Sequence, residues 1–427
     1  MTATFDIKGW CPGARRPMQS GDGLIVRVRP HGGSLPVRAL EALAEAAARF
    51  GNGQIDLTRR ANLQLRGVKP ETLAPLWEVL SSLDLLDDDA ELEAIRNIVI
   101  NPLAGIDPTE IADMRPVAHA LERQLMAVAS LRQLPGKFSF LLDGGGRLPL
   151  TDLEADVCLV AYRDGAGASV AIGLQAAVGL EWLGTVDAEQ AALAAAQLAL
   201  AILKHSPTSR ARALPDDAVV AIRAELGLQA SGLPITPARR EASHRRGLIA
   251  LASGSYAAGL GAAFGRLDSE TVSALLSELT RLGLTEVRLS PWRTFYVATS
   301  SRPDAEQILA FARSLGFIVD DSDPLTRIDA CSGVGCCSST TLATRDHARA
   351  LADIAARSGF AGTLHVSGCP KGCARSAPAD LVFVGDGAHY RVVRQGTVRD
   401  RAFIELDPSG ISTVVPTLLA QERSTHV

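Results

Sequence analysis

The chain has 427 residues, enough for several domains, and 47% of them are hydrophobic, so it can bury sizeable cores. Charged residues make up 21% and the formal net charge is −4, which excludes a disordered chain and a strongly basic nucleic-acid binder. The most apolar run, Ala191 to Leu203, is too short to span a bilayer and contains Gln197, so it predicts a buried helix.

The beginning of the chain and its cysteines indicate the compartment. The segment 1–17 lacks a basic stretch followed by an apolar one, so it does not predict a secretory signal. Five of the seven cysteines fall between positions 331 and 373. An odd, clustered set without an export signal favours metal ligation over disulfides. We therefore expect a cytoplasmic enzyme that acts without a membrane or nucleic acid.

Two parts of the chain have the same order of predicted elements. In the first part these are a strand at 24–33, a helix at 35–50 and a strand at 54–68. In the second part they are a strand at 259–268, a helix that Gly283 ends, and a strand at 285–297. Apolar residues recur at helical spacing in both predicted helices: Leu40, Leu43, Ala47, Val272, Leu275 and Leu279.

The segments that follow also correspond, since 134–146 matches 360–372 and 155–165 matches 379–389. The sequence therefore predicts an internally duplicated α/β (α+β) chain in the order A–B–A′–B′. This alignment pairs His365 with Ser139. The stretch 205–245 is rich in proline, serine and charge, which predicts the joint between the halves.

A cysteine constellation in the second half has the ligand number of an iron–sulfur cluster. Cys331 and Cys337 are followed, after 31 residues, by Cys369 and Cys373. A [4Fe–4S] cubane takes one thiolate for each iron, and glycines around these cysteines let the backbone wrap closely. Zinc sites prefer C-x2-4-C pairs, which the spacing from Cys331 to Cys337 fits poorly. Cys336 leaves an alternative open, because it could compete as a ligand or pack as a small apolar residue.

The first half lacks such a cysteine set and carries cations instead. These are Arg27, Arg29, Arg59, Arg60, Arg66, Arg96 and Lys137. Alternation along a strand would place Arg27 and Arg29 on one face, and Arg60 and Arg66 on one face. Arginines that converge from neighbouring strands could bind several carboxylates at once. The corresponding strands of the second half carry few cations, so we expect one half to bind an anion and the other to hold the cluster.

These motifs resemble the sulfite and nitrite reductase superfamily over nearly the whole chain. The resemblance rests on the cysteine pattern, on HVSGC at 365–369 and on LTRRANLQLRG at 57–67. It implies two ferredoxin-like repeats and two reductase-like domains. The implied division is 1–80 for the first repeat, 81–240 for a tetrapyrrole-side domain, 241–318 for the second repeat and 319–427 for the cluster domain.

The resemblance also implies roles for individual residues. Arg27, Arg60 and Arg96 match positions that hold tetrapyrrole carboxylates or substrate oxygens, and Arg29 and Arg66 are expected in the same pocket. Lys137 matches the first of two active-site lysines, so Arg96 and Lys137 are the implied catalytic residues. The second lysine position is Ser139 here, which removes half of the cationic pair that binds the anion and delivers protons in the reductases.

Within the superfamily, the segment CPGARRPMQSGDG at 11–23 is similar to precorrin-3B synthases. That similarity implies hydroxylation of precorrin-3A at C20 by dioxygen, with γ-lactone formation, in aerobic cobalamin biosynthesis. It implies an external electron donor, either an NADH-linked reductase or a ferredoxin-like protein. It also suggests an additional mononuclear non-haem iron, for which His31 and His365 are the first candidate ligands.

Two other functions stay open at this point. A sulfite or nitrite reductase would bind sirohaem in the same pocket, and there Cys373 would bridge the cluster to the haem iron. A tetrapyrrole carrier or electron-relay module would bind without turnover. Ser139 argues against the first, and the intact cysteine set together with Lys137 argues against the second.

Overall fold

The computed structural model describes residues 10–165, 167–228, 244–251 and 254–423. In this part of the chain, four five-stranded sheets occur as two pairs, and the members of a pair have equivalent strand orders. Among the described helices, none combines the length and the apolar character needed to cross a bilayer. The predicted α/β architecture with internal duplication is confirmed.

The first pair of sheets comes from the two strand–helix–strand repeats. One sheet contains, in spatial order, β1 (Met18–Ser20), β2 (Gly23–Val28), β5 (Leu63–Val68), β4 (Gln54–Leu57) and β13 (Arg266–Asp268). The other contains β11 (Gly247–Ala250), β12 (Tyr256–Gly261), β15 (Thr294–Thr299), β14 (Glu286–Leu289) and β3 (Ser34–Pro36). The helices of these repeats are α1 (Val37–Phe50), α2 (Leu73–Ser82), α7 (Ser269–Arg281) and α8 (Arg302–Ser314).

The two repeats exchange edge strands. β3 of the first repeat pairs with β14 through Leu35 and Val287, and β13 of the second repeat pairs with β4 through Leu267 and Ile55. The helices α1 and α7 pack against each other across this exchange. Their predicted apolar positions are fully buried, as the helical spacing required. The repeats therefore share one core and hold each other in a fixed orientation.

Each segment predicted as one strand after the helix is instead a hairpin. Residues 54–68 form β4 and β5, and residues 285–297 form β14 and most of β15. The apolar alternation continues across both turns, which is why the pattern did not reveal them. The positive φ angles of Ala61 (53°) and Arg293 (58°) mark the turns. Arg60 therefore lies in a turn and does not share a strand face with Arg66.

The second pair of sheets lies in the two segments for which the sequence predicts reductase-like domains. One contains β6 (Ile98–Ile100), β7 (Phe140–Asp143), β8 (Val157–Asp164), β9 (Gly167–Ala176) and β10 (Gly179–Val186). The other contains β16 (Ile328–Ala330), β17 (Leu364–Ser367), β18 (Ala379–Asp386), β19 (His389–Gly396) and β20 (Ile404–Leu406). Their helices are α3 (Ala90–Ile95), α4 (Arg115–Ala127), α5 (Ala188–His205), α6 (Asp216–Glu225), α9 (Thr344–Ser358) and α10 (Val415–Arg423).

Strand register in these sheets corrects the predicted alignment of the halves. Ile98 pairs with Phe140 in the first sheet, and Ile328 pairs with Leu364 in the second. Leu141 is therefore equivalent to His365, and Ser139 lies two residues earlier. In both sheets the loops that follow the first two strands emerge at the same edge, because those strands are parallel.

The predicted buried helix at 191–203 lies within α5, where Ala191, Ala195 and Ile202 are fully buried. The predicted joint at 205–245 begins with a folded stretch that includes α6. Its part at 229–243 lies outside the described residues.

Candidate active site

The four predicted cluster ligands lie on two neighbouring loops. Cys331 directly follows β16 and Cys337 lies further along the same loop, whereas Cys369 and Cys373 lie on the loop after β17. The loops are joined at the sheet edge, where the Cys331 amide donates to the Val366 carbonyl at 3.1 Å. Two parallel strands thus bring together cysteines that are far apart in sequence.

Backbone amides and closely packed glycines surround these thiols. The Gly368 amide donates to the Cys331 sulfur at 3.2 Å, and the Ser339 amide lies 3.5 Å from the Cys337 sulfur. Gly333 has a φ of 73°, and a Cβ there would meet the Thr344 hydroxyl at 2.6 Å. Amides that point at sulfur stabilise a negatively charged cluster and help to set its reduction potential.

The chemistry of the donor set fits an iron–sulfur cluster. Burial raises the pKa of Cys369 and Cys373, and the charges of the neighbouring ligand thiols raise both further. Bound iron would reverse this, because a coordinating thiol is deprotonated. In the described residues, no three His, Cys, Asp or Glu side chains converge closely enough to hold a single metal ion. A cubane needs four thiolates around a larger space, one for each iron.

Cys336 is engaged elsewhere. Its sulfur lies 3.1 Å from Nη1 of Arg266, and its carbonyl accepts hydrogen bonds from Ser20 and Arg66. The alternative that it competes as a ligand therefore has less geometric support than the Cys337 assignment. Cys158, predicted to be a core residue, is buried in β8, where burial raises the pKa of its thiol to about 12.

Three of the predicted carboxylate-binding arginines already have carboxylate partners in the chain. Arg29 pairs with Glu93 at 2.7 Å, Arg66 with Asp22 at 2.7 Å, and Arg96 with Asp87 at 2.8 Å. All three guanidinium side chains are buried. This arrangement does not favour the predicted role in ligand binding, because a ligand carboxylate would have to displace the existing buried partner of each arginine.

Arg27 and Arg60 keep more of their binding capacity. Arg27 donates to the neutral side chain of Gln64 at 2.8 Å. Arg60 donates through Nη2 to the Lys137 carbonyl at 2.9 Å, while its Nη1 is buried and, within the described structure, unpartnered. Lys137 is exposed beside Arg60. Ser139 is buried, and its amide donates to Asp156 at 3.0 Å.

A cavity of about 320 Å³, which we call the first arginine cavity, adjoins the cluster loops. It is lined by Cys331 and Cys373 on one side and by cations that include Arg27, Arg59 and Arg66 on the other. The geometry thus places a cation-rich space directly against two of the predicted cluster ligands. Such a space can hold a polyanion in contact with a redox centre.

Three arginines of this region, Arg266, Arg293 and Arg345, lie in the second half, where the strand pattern suggested few cations. Arg345, in the first turn of α9, lines the first arginine cavity, and its Nε and Nη1 are buried without a partner in the described chain. Burial lowers its pKa to about 10. Arg266 binds Asp56 through two hydrogen bonds of 2.7 and 2.8 Å. Only the fold brings these residues to the pocket, since no local motif marks them.

The two candidate iron-binding histidines lie in different surroundings. His31 contacts Glu122 through Nδ1 at 3.1 Å, and His119 approaches the same carboxylate oxygen at 3.6 Å. His365 is fully buried in β17, and neither ring nitrogen has a partner in the described structure. Burial lowers the pKa of His365 to about 4, so its ring is neutral at pH 7. The structure does not bring His31 and His365 into one ligand set.

Substitution of Arg60 by alanine is expected to weaken binding of a polycarboxylate tetrapyrrole and leave the iron content unchanged. Each lost charge-assisted hydrogen bond contributes about 1.5–3 kcal/mol, which corresponds to roughly a tenfold to hundredfold change in affinity. Fluorescence titration with uroporphyrin measures this change. Arg281, which is exposed and paired with Glu278, supplies the control substitution. Equal affinity in the Arg60 variant and the wild type would mean that Arg60 does not bind the tetrapyrrole.

Comparison with known proteins identifies the family. The model of the nitrite/sulfite reductase ferredoxin-like half domain matches residues 16–83. A precorrin-3B synthase from Sinorhizobium sp is 33% identical over 416 residues, which cover 96% of this chain and 88% of that protein. The chain belongs to the precorrin-3B synthase family. It is therefore an enzyme of an oxidoreductase family.

More distant relatives come from the reductase branches. The ferredoxin–nitrite reductase of Synechococcus elongatus is 27% identical over 87% of this chain and 77% of its own length. A ferredoxin-type sulfite reductase of Mycobacterium tuberculosis is 25% identical over 84% of this chain and 69% of its own length. The NirA protein of Mycobacterium tuberculosis shares the fold, with a TM-score of 0.72, 18% identity and coverage of 92% and 79%.

Proposed function

We propose that this enzyme hydroxylates precorrin-3A at C20 with dioxygen and forms the γ-lactone of precorrin-3B, in aerobic cobalamin biosynthesis. One oxygen atom of dioxygen enters the tetrapyrrole and the other leaves as water. This requires a pair of electrons from an external donor, which we take to be an NADH-linked reductase or a ferredoxin-like protein. The observation that carries the proposal is the contact between the first arginine cavity and the cysteines Cys331 and Cys373.

In this proposal Cys331, Cys337, Cys369 and Cys373 hold a [4Fe–4S] cluster, which transfers single electrons when bound. Gly368 and Ser339 support it through their amides, which lie within 3.5 Å of ligand sulfurs. The substrate occupies the pocket that the reductases use for sirohaem. A tetrapyrrole with many carboxylates suits this pocket whether it is a permanent cofactor or a transient substrate.

The residues of the pocket would bind and orient the substrate. Arg27 and Arg345 line the first arginine cavity and have weak internal partners, so we propose that they pair with substrate carboxylates. Arg60 does not line that cavity but lies close to Arg27, and we propose that it contacts a carboxylate at the edge of the substrate. Arg29 and Arg96 would be positioning residues that do not contact the substrate, because both are buried. Nη2 of Arg96 donates to the Arg29 carbonyl at 2.8 Å. Lys137, exposed beside Arg60, would carry a proton at its ammonium group near the bound substrate.

Anaerobic purification from a host that makes sirohaem tests this function. We expect about four irons and four sulfides per chain, no sirohaem, and turnover of precorrin-3A when dioxygen and a reductant are supplied. Mass spectrometry of the product should show the gain of a single oxygen atom, labelled when the dioxygen is labelled. Stoichiometric sirohaem together with sulfite or nitrite reduction would contradict the proposal. Tetrapyrrole binding without turnover would instead indicate a carrier.

A further inference from the structure

A second cavity, of about 350 Å³, lies next to the first arginine cavity. We call it the second arginine cavity. Its lining includes the arginines Arg59, Arg245, Arg246, Arg293, Arg327 and Arg375. It shares Arg59, Arg293 and the ring of Phe264 with the first arginine cavity, so the two spaces adjoin.

The second arginine cavity has more positive than negative charge. Within the described structure its lining holds six arginines and two aspartates, Asp152 and Asp329, and a third aspartate, Asp321, pairs with one of the arginines from outside the lining. Arg59, Arg293 and Arg375 all contact Asp329, Arg245 pairs with Asp152 at 2.9 Å, and Arg246 pairs with Asp321 at 2.7 Å. Arg327 lines the cavity without an ion-pair partner among the described residues. A half-enclosed surplus of this kind favours a ligand with several negative charges.

The guanidinium groups are held in place before any ligand binds. Arg245 stacks on the Trp292 ring with its central carbon 4.3 Å from the ring centre. Arg246 donates to the Trp292 carbonyl at 3.2 Å. In the described structure, the Nε atoms of Arg245 and Arg246 are buried and have no partner. Both side chains nevertheless remain partly exposed, so the outer parts of their guanidinium groups can donate to acceptors that a ligand would supply.

We propose that the second arginine cavity binds peripheral carboxylates of the same tetrapyrrole whose ring occupies the first arginine cavity. This inference rests on the proposed function, and it assigns Arg245, Arg246 and Arg327 to substrate recognition. The aromatic residues Phe264 and Trp292 lie along the lining and offer apolar contact to a ring system. The two cavities adjoin, as one large ligand would require, whereas a small independent anion would need only the cations of one cavity.

Titration of the full-length, cluster-containing protein with uroporphyrin tests this assignment. The main variant is Arg327→Gln, because Arg327 has no ion-pair partner that the substitution would leave unpaired. Arg245→Gln is the second variant, and Arg302→Gln, on an exposed helix face, is the control. We expect the affinity to fall by about tenfold or more in both cavity variants, since each removes a charge-assisted contact, and to stay unchanged in the control.

Unchanged uroporphyrin affinity in Arg327→Gln and Arg245→Gln would overturn the assignment. Titration with citrate and inorganic phosphate tests whether the cavity binds small anions instead of tetrapyrrole carboxylates. Small-anion binding that these variants abolish, with uroporphyrin affinity intact, would make the cavity an independent anion site and would also overturn the inference. If the proposed function itself is wrong, the result is different: the wild-type protein would bind uroporphyrin but would not convert precorrin-3A.

Discussion

Replacement of Cys369 by serine is expected to remove nearly all iron and sulfide from the protein and to abolish its brown chromophore. Cys369 is buried beside Cys331 and Cys337, and a hydroxyl is a poor ligand for iron compared with a thiolate. The cluster-binding loops should also lose stability, because ligand binding to the native state contributes directly to folding. Iron and sulfide determination, the optical spectrum and thermal unfolding of the purified variant measure these effects.

Cys336→Ser is the matched control, because Cys336 neighbours the ligand Cys337 and its sulfur contacts Arg266. It should keep a full complement of iron and sulfide. If Cys336→Ser loses the cluster and Cys337→Ser retains it, the assignment of the ligands is wrong. Normal iron and sulfide content in Cys369→Ser would likewise exclude Cys369 as a ligand.

Replacement of Glu93 by alanine is expected to destabilise the protein by about 3–5 kcal/mol, because it leaves the buried Arg29 guanidinium without its carboxylate. Glu93 also accepts hydrogen bonds from the amides of Ala14 and Arg15. These contacts hold the segment 13–16 against β2, where the Arg27 amide donates to the Gly13 carbonyl at 3.3 Å. Urea unfolding followed by circular dichroism measures the loss, and we expect uroporphyrin binding to weaken as well.

Glu91→Ala is the control for this prediction, since Glu91 lies on the same helix with an exposed side chain. Surface substitutions of this kind usually change stability by less than about 0.5 kcal/mol. A Glu93 variant as stable as the Glu91 variant would mean that the buried ion pair contributes little to the fold. If the Glu93 variant loses stability but keeps its uroporphyrin affinity, the segment 13–16 does not contribute to the pocket.

The internal ion pairs of the predicted arginines show why charge alone does not identify a binding site. Arg29 and Arg66 stand in basic stretches of the sequence and Arg96 stands among acidic and apolar residues, but each is buried with a carboxylate partner. Glu93 and Asp22 lie far in sequence from their partners Arg29 and Arg66, whereas Asp87 lies nine residues before Arg96. No sequence pattern marks these pairs. Burial with an internal partner converts a cation from a ligand-binding group into a structural one.

Several features of this protein follow from the sequence by itself. The spacing of Cys331, Cys337, Cys369 and Cys373 predicts a cluster because the ligand type and the ligand number are properties of the side chains. The repeated order of strands and helices predicts the duplication, and the helical spacing of apolar residues predicts which faces of α1 and α7 are buried. These inferences depend on local periodicity and composition, which the chain carries without its fold.

Only the tertiary structure decided the rest. The exchange of β3 and β13 between repeats, the hairpin turns that carry Arg60 and Arg293, and the register that aligns Leu141 with His365 all depend on pairing between distant segments. The same holds for Arg345 in the first arginine cavity and for the surplus of cations in the second. Whether an arginine is free to bind a ligand depends on which carboxylates the fold brings within a few ångströms, and that distance is not encoded in any local pattern.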